Sequence, residues 1–219
     1  MALRGVERRW WLVWCMGSVG RRRPLSRRRI LEAAIKLADR EGLEALSMRR
    51  LGRELGVEAM SLYNHVPNKE ALLNGMVRIL LERLEIPLDG SGGWEERVRE
   101  AFRSYRQLAR EHPNVFPLFA MRPLNTVESL RIFELLRGAG FGTVPALHAF
   151  RALSSYTIGY SLAELQGFAL EPKSDRPGPR EDESRMLEAP TLEEADRDAE
   201  FEFGLDLILT GLQKYITRR

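Results

Sequence analysis

Between Gly56 and Pro67 the chain offers Ala59, Met60, Ser61, Asn64 and His65 at the positions of a short helix left free when Val57 and Leu62 face inward. These types suit contact chemistry. An Asn64 amide can pair with adenine, Ser61 can bond several bases, and Ala59 or Met60 can touch a thymine methyl. Ser47, Arg49, Tyr63 and Lys69 are the types that hold phosphates and set register on a duplex. The same residues also suit a second reading, in which Asn64 and His65 are solvated polar groups and Tyr63 packs half-buried. The two short helices alone leave both readings open, because a glycine turn between helices is common in all-α proteins.

A second group lies further on: Phe102, Tyr105, His112, Phe116, Phe133, His148, Tyr156 and Gln166 are polar or aromatic side chains on otherwise apolar segments. Gathered around one cavity they would bind a small molecule; separately, each is core packing or a satisfied polar group. Catalysis finds no such support. The chain has no nucleophile elbow, phosphate-cradling loop or His-Glu-x-x-His, and its three histidines are far apart. The run Gly138-Ala139-Gly140-Phe141-Gly142 follows a helical segment and reads as a turn, and the lone Cys15 excludes a multi-cysteine metal site or an internal disulfide framework. No enzyme activity, metal or cofactor is expected.

The elements that position these residues follow a helical period throughout. Ser26 can cap a helix carrying Ile30, Leu31, Ala34, Ile35, Leu37 and Ala38, with Gly42 as its stop. Ser47 opens a short helix with Leu51 and Leu55. Gly56 interrupts it, and a second short helix through Leu62 and Val66 ends at Pro67, giving a helix-turn-helix. Asn68 caps a helix with an apolar face of Leu72, Leu73, Met76, Val77, Leu80 and Leu84, stopping at Ile86-Pro87.

The turn-rich Pro87–Gly93 segment sets a domain boundary near residue 87. Beyond it, a helix runs from Trp94 to Pro113, Asn125 with Glu128 makes a capping box for a helix closed by Gly138, and Thr143 with Pro145 opens a long helix to about Gly167. Residues 171–190 read as a mobile loop. Thr191 and Glu194 make another capping box for a last helical region. The expectation is all-α: an arm over residues 1–23, a helix-turn-helix domain over 24–86 and a larger helical domain over 87–219.

Taken whole, Arg29-Ile30-Leu31-Glu32-Ala33-Ala34 through Gly42-Leu43, Leu51, Leu55-Gly56-Val57, Leu62-Tyr63-Asn64-His65-Val66 and Asn68-Lys69-Glu70-Ala71-Leu72-Leu73 resembles the DNA-binding domain of the TetR family over residues 27–77. The resemblance implies a recognition helix over Ala59–Val66. It makes Tyr63 and Lys69 phosphate contacts and turns Met60, Ser61, Asn64 and His65 toward bases. Pro67 departs from the family's usual connection. His112-Pro113 and Phe116-Pro117-Leu118 look like the tetracycline-repressor type of C-terminal domain, which implies a small-molecule effector and a homodimer. The implied dimer helices span about 143–167 and 191–217, with Leu147, Phe150, Leu153, Leu205, Ile208 and Leu212 as contacts. The implied function is a repressor of a pseudo-palindromic operator, released by its effector. Tetracycline itself does not follow.

Charge adds an arm. The chain carries +3 overall, yet residues 1–29 hold nine arginines against Glu7, about +8, leaving about −5 for the rest. Arg21 to Arg23 and Arg27 to Arg29 precede or enter the first turn of a helix, where cations oppose its dipole. That suggests an arm tracking DNA backbone or entering a minor groove; a solvated tail or a start assigned too early reads equally from the same residues. The Trp10–Met16 run is too short to span a bilayer and lacks an Ala-x-Ala site before Arg21, so a cytoplasmic location without a membrane is expected. Two rivals stay open: an effector-independent architectural DNA-binding protein, and membrane association through the tryptophan- and arginine-rich arm.

Overall fold

The computed structural model describes residues 24–87, 92–122, 126–167 and 196–217 of the 219. Nine helices and no strand occur among the described residues. The arm, the 171–190 loop, Asn125 and the Thr191–Glu194 box lie outside them.

α1 (Arg27–Glu41) starts where the Ser26 hydroxyl accepts from the Arg29 amide at 3.3 Å, and it ends at Gly42, whose φ of 83° favours glycine. The six apolar positions of its period are all buried. α2 (Met48–Leu55) is capped by Ser47, whose hydroxyl accepts from the Arg50 amide at 3.2 Å, and closes on Gly56 in the left-handed region. α3 (Ala59–Tyr63) follows at once. At this crossing a Cβ on Gly52 would stand 2.8 Å from the Val57 carbonyl oxygen, so glycine sets how tightly the two helices approach. α4 (Lys69–Leu81) is capped by Asn68, whose carbonyl oxygen accepts from the Ala71 amide at 2.7 Å.

α4 stops at Leu81, short of Ile86-Pro87. After a turn at Glu82 and Arg83, the Glu85 amide donates to the Ser104 hydroxyl at 3.1 Å, a bond that draws the chain onto the next helix. Ile86, as the residue before a proline, is also disfavoured in the helical region.

α5 (Trp94–Glu111), α6 (Pro117–Met121), α7 (Val127–Gly138), α8 (Thr143–Leu165) and α9 (Arg197–Thr217) build the second half. The cap of α7 is Thr126, not the Asn125 of the expected capping box: its hydroxyl accepts from the Ser129 amide at 3.3 Å, and Glu128 is buried. α9 opens at Asp196, whose carboxylate accepts from the Asp198 and Ala199 amides at 3.0 and 3.2 Å. α1 packs on α2 and α4, while α8 packs on α5, α6, α7 and α9, and α4 touches α6. One continuous apolar core runs from Ile30 to Leu209 through both halves.

Candidate nucleic-acid interface and ligand core

Leu51, Leu62 and Val66 are fully buried and Val57 half-buried, and they fix α3 to its scaffold. Opposite them Met60 is 72% exposed and Tyr63 42% exposed, Asn64 and His65 are exposed, and Ala59 and Ser61 are half-buried. The helix proper ends at Tyr63. Asn64 and His65 stand in a turn that returns to the core as the Val66 amide donates to the Leu62 carbonyl at 2.9 Å. The Ser47 hydroxyl is committed to the α2 cap. Arg49 and Lys69, exposed on either side of α3 at the starts of α2 and α4, have no ion-pair partner among the described residues.

Other arginines near this face are engaged. Arg50 donates to Glu41 at 2.6 Å and to Glu54 at 3.1 Å, and Arg40 to Glu54 at 3.0 Å, tying α1 to α2. The Arg50 hydrogen bond holds the Glu41 carboxyl below its ordinary range, and the Arg40 bond does the same for Glu54. Sequence reasoning could not sort paired from free arginines, because Glu41 and Glu54 reach them from different helices.

The eight expected effector residues do not form one group. Phe102, Tyr105 and Phe116 come together, joined by Phe119, which the sequence reading missed. Tyr105 lies 5.9 Å from Phe116 and 5.7 Å from Phe119, and Phe116 stacks on Phe119 at 5.0 Å. All four are buried. Tyr156 turns to α9, donating to the Phe201 carbonyl at 2.9 Å, and Phe133 is half-buried on α7. His148 and Gln166 are exposed.

His112 serves a junction. Its Nδ1 lies 2.7 Å from an Asp39 carboxylate oxygen on α1 and its Nε2 3.3 Å from an Arg83 nitrogen beyond α4, while the Asn114 amide donates to the Asp39 carbonyl at 2.9 Å. Arg122, past the end of α6, donates to Glu70 and Asn74 on α4.

Two further features of the second half carried no signal in the sequence reading. Arg99, Arg103, Arg106 and Arg110 form a row on α5 facing Asp198, Glu202 and Asp206 on α9, with Glu164 of α8 between Arg106 and Arg110. Burial would raise the Glu164 carboxyl, but hydrogen bonds from Arg106 and Arg110 outweigh it and hold the group low. The hydroxyls of Ser154, Thr157 and Ser161 on α8 and of Tyr105 are buried and have no hydrogen-bond partner among the described residues. Desolvation pushes the Tyr105 phenol well above its usual value.

On the outside, Val144, Leu147, Phe203 and Leu207 are exposed on α8 and α9. Leu153 and Leu205, expected as contacts between subunits, are fully buried within this chain. Each packs in the intramolecular core, so neither is available on the surface. No helix among the described residues is long and apolar enough to cross a membrane, and no group of three or more His, Cys, Asp or Glu side chains among them could hold a metal ion.

Residues 30–76 match the model of bacterial regulatory proteins of the tetR family, and residues 86–216 match the tetracyclin repressor-like C-terminal domain. The chain is 31% identical to the HTH-type transcriptional repressor DrrR1 of Streptomyces coeruleorubidus, covering 95% of this chain and 86% of that one. It is 30% identical to the class D tetracycline repressor of Escherichia coli, covering 88% and 91%. Among solved structures, ActR of Streptomyces coelicolor in complex with actinorhodin matches with a TM-score of 0.74 at 30% identity, over 89% of this chain and 99% of that one. A helix-turn-helix with its polar face outward, joined to a helical domain of the repressor type, makes this chain a member of the tetR family of DNA-binding transcriptional regulators.

Proposed function

We propose that this regulator is a homodimeric repressor that reads a pseudo-palindromic operator through α3 and is released by a small molecule bound in the α5–α9 domain. The observation that carries the reading is the outward set Met60, Tyr63, Asn64 and His65 on an element pinned by buried Leu62 and Val66 and flanked by Arg49 and Lys69, which have no ion-pair partner among the described residues. Asn64, His65 and Met60 suit base edges, with Ser61 and Ala59 behind them; Tyr63, Arg49, Lys69 and the α2 start at Ser47 suit phosphates. Two such elements in a dimer meet successive major grooves ~34–36 Å apart. The exposed Val144, Leu147, Phe203 and Leu207 supply an apolar face for that dimer.

Release requires an effector with different affinity for two dimer geometries, and it can shift the balance only by that difference. Similarity to the repressor DrrR1 and to the actinorhodin-bound ActR supports both halves of the reading. The rival architectural protein has no use for four buried hydroxyls that lack a partner among the described residues of its second domain, which favours the effector reading. Selection of genomic fragments by the purified protein, then footprinting with Tyr63→Ala and Asn64→Ala variants beside the parent, tests it. A short pseudo-palindrome protected by the parent and lost in the variants is expected. Diffuse, salt-sensitive binding indifferent to both changes would refute it.

A further inference from the structure

Arginine gathers once more where the two halves of the chain meet. A cleft of about 300 Å³ is lined there by Arg27 at the first position of α1, by Asn74 and Arg78 of α4, and by Arg122 and Thr126 of the second half. Three arginines from three separate stretches of chain thus face one space, and no carboxylate lines it among the described residues.

The carboxylates that reach these arginines stand outside the cleft. Glu82 pairs with Arg78 at 3.3 Å, a surface pair in which Arg78 is 68% exposed and the attraction is weak. Glu70 and Asn74 take two N–H groups of Arg122 through Nη1 and Glu70 a third through Nη2, while its Nε is buried without a partner among the described residues. Arg27 has no ion pair among the described residues, whereas its neighbour Arg28 bonds Glu32 at 2.9 Å. At the start of α1 the Arg27 charge also opposes the helix dipole, which a nearby anion would offset. Thr126 caps α7, so the positive end of that helix stands at the edge of the same cleft.

These features all favour negative charge in one place. Forked guanidinium groups suit a phosphate, whose several oxygens accept from more than one arginine and which carries close to two charges at neutral pH. The backbone of a bound duplex fits less well. Arg78 lies about 13 Å along α4 from Lys69, the residue that flanks α3, and Arg122 is only 12% exposed, within reach of a small anion.

We propose that this cleft binds a small phosphorylated metabolite, a phosphate monoester dianion, gripped by Arg27, Arg78 and Arg122 and distinct from the effector of the second domain. Its phosphate joins α1 and α4 to the residues that lead into α7, so binding ties the helix-turn-helix domain to the second domain.

Calorimetry on the full chain at about pH 7.5 and constant ionic strength tests this, with glycerol 3-phosphate as the probe and acetate and glycerol as controls. One glycerol 3-phosphate is expected to bind per chain, at least tenfold more tightly than either control. Arg27→Gln with Arg78→Gln should weaken it about tenfold or more. Arg28→Gln with Arg53→Gln removes the same charge outside the cleft and should leave the affinity unchanged. All four side chains are exposed, so both variants should melt with the parent when no phosphate is present, and glycerol 3-phosphate should raise the melting temperature of the parent and the second variant only. No saturable binding by the parent, acetate bound as tightly, or equal losses in the two variants overturns the site. A parent that ignores glycerol 3-phosphate while the Arg27–Arg78 variant alone loses operator affinity assigns the cleft to DNA backbone instead, and overturns it too.

Discussion

Arg106 is where the second domain is most exposed to a single substitution. Its side chain is 6% exposed, and it bonds Glu164 through Nε and Nη2, the Arg197 carbonyl at 2.9 Å and Asp198 at 2.9 Å, while its guanidinium lies 4.7 Å from the Phe201 ring centre and 5.1 Å from that of Tyr160. One side chain therefore joins α5, α8 and α9. Arg106→Met keeps much of the volume and the contact with the rings but leaves Glu164, itself 8% exposed, with Arg110 alone. Stranding one member of a buried pair costs about 3–5 kcal/mol, and the surviving Arg110 bond places this case near the lower end, about 3 kcal/mol. In a chain of this size that lowers Tm by roughly 6–12 °C.

Adding Glu164→Leu should recover most of the loss, because an apolar pair of similar volume is commonly neutral or better than a buried ion pair. Thermal melts of the parent, both single variants and the double close the cycle. A loss under about 1 kcal/mol for Arg106→Met, or a double variant no more stable than Arg106→Met, would refute the assignment of Arg106 as the joint between these helices.

Gly52→Ala should lower Tm and operator affinity together, since its Cβ would press the Val57 carbonyl oxygen at 2.8 Å and wedge α2 from α3; a melt with fluorescence anisotropy reads both. Hydrogen bonds from Arg103 hold Glu202 low and those from Arg110 hold Asp198 low, so their contribution is complete above the unfolded values of 4.5 and 3.8 and is lost as pH falls through the lower folded ones. Urea midpoints should therefore fall more steeply below about pH 4.5 for the parent than for Arg103→Gln. Phe203→Asp with Leu207→Asp should turn a dimer into monomers in sedimentation at micromolar concentration without lowering Tm at high dilution, because both side chains are exposed in the single chain. A dimer that survives both changes would move the interface elsewhere.

The helix-turn-helix was legible in the sequence because its determinants are local. Ser26, Ser47 and Asn68 each cap the helix they precede, and Gly42 and Gly56 each close one, all within a few residues of the amide or carbonyl they serve. Where two neighbours competed for one job, periodicity could not choose: Asn125 and Thr126 both suit a cap, and the Thr126 hydroxyl takes it. The path of the chain after α4 was hidden for another reason, since the Glu85 amide donates to the hydroxyl of Ser104, 19 residues on. The interior of the second domain was the least legible part. Polar or aromatic type alone grouped Phe102, Tyr105 and Phe116 with His148 and Gln166, which the fold leaves on the surface, while nothing in the sequence marks Ser154, Thr157 and Ser161 as buried.

His112 shows what type and position together can conceal. It was read as a pocket group because it sits at the end of a mostly apolar helix, yet it binds Asp39 at the end of α1 and meets Arg83 just beyond α4. Ten residues later Arg122 binds Glu70 and Asn74 near the start of α4. The stretch from 112 to 122 thus holds α4 near both ends and α1 near one, and α4 is the helix entered from the turn proposed to read DNA, through Pro67 and Asn68. These are side-chain hydrogen bonds between separate helices, shorter in reach than the apolar contacts around them. Any rearrangement that moves α6, including one that parts it from α8, must either break them or carry α4 along.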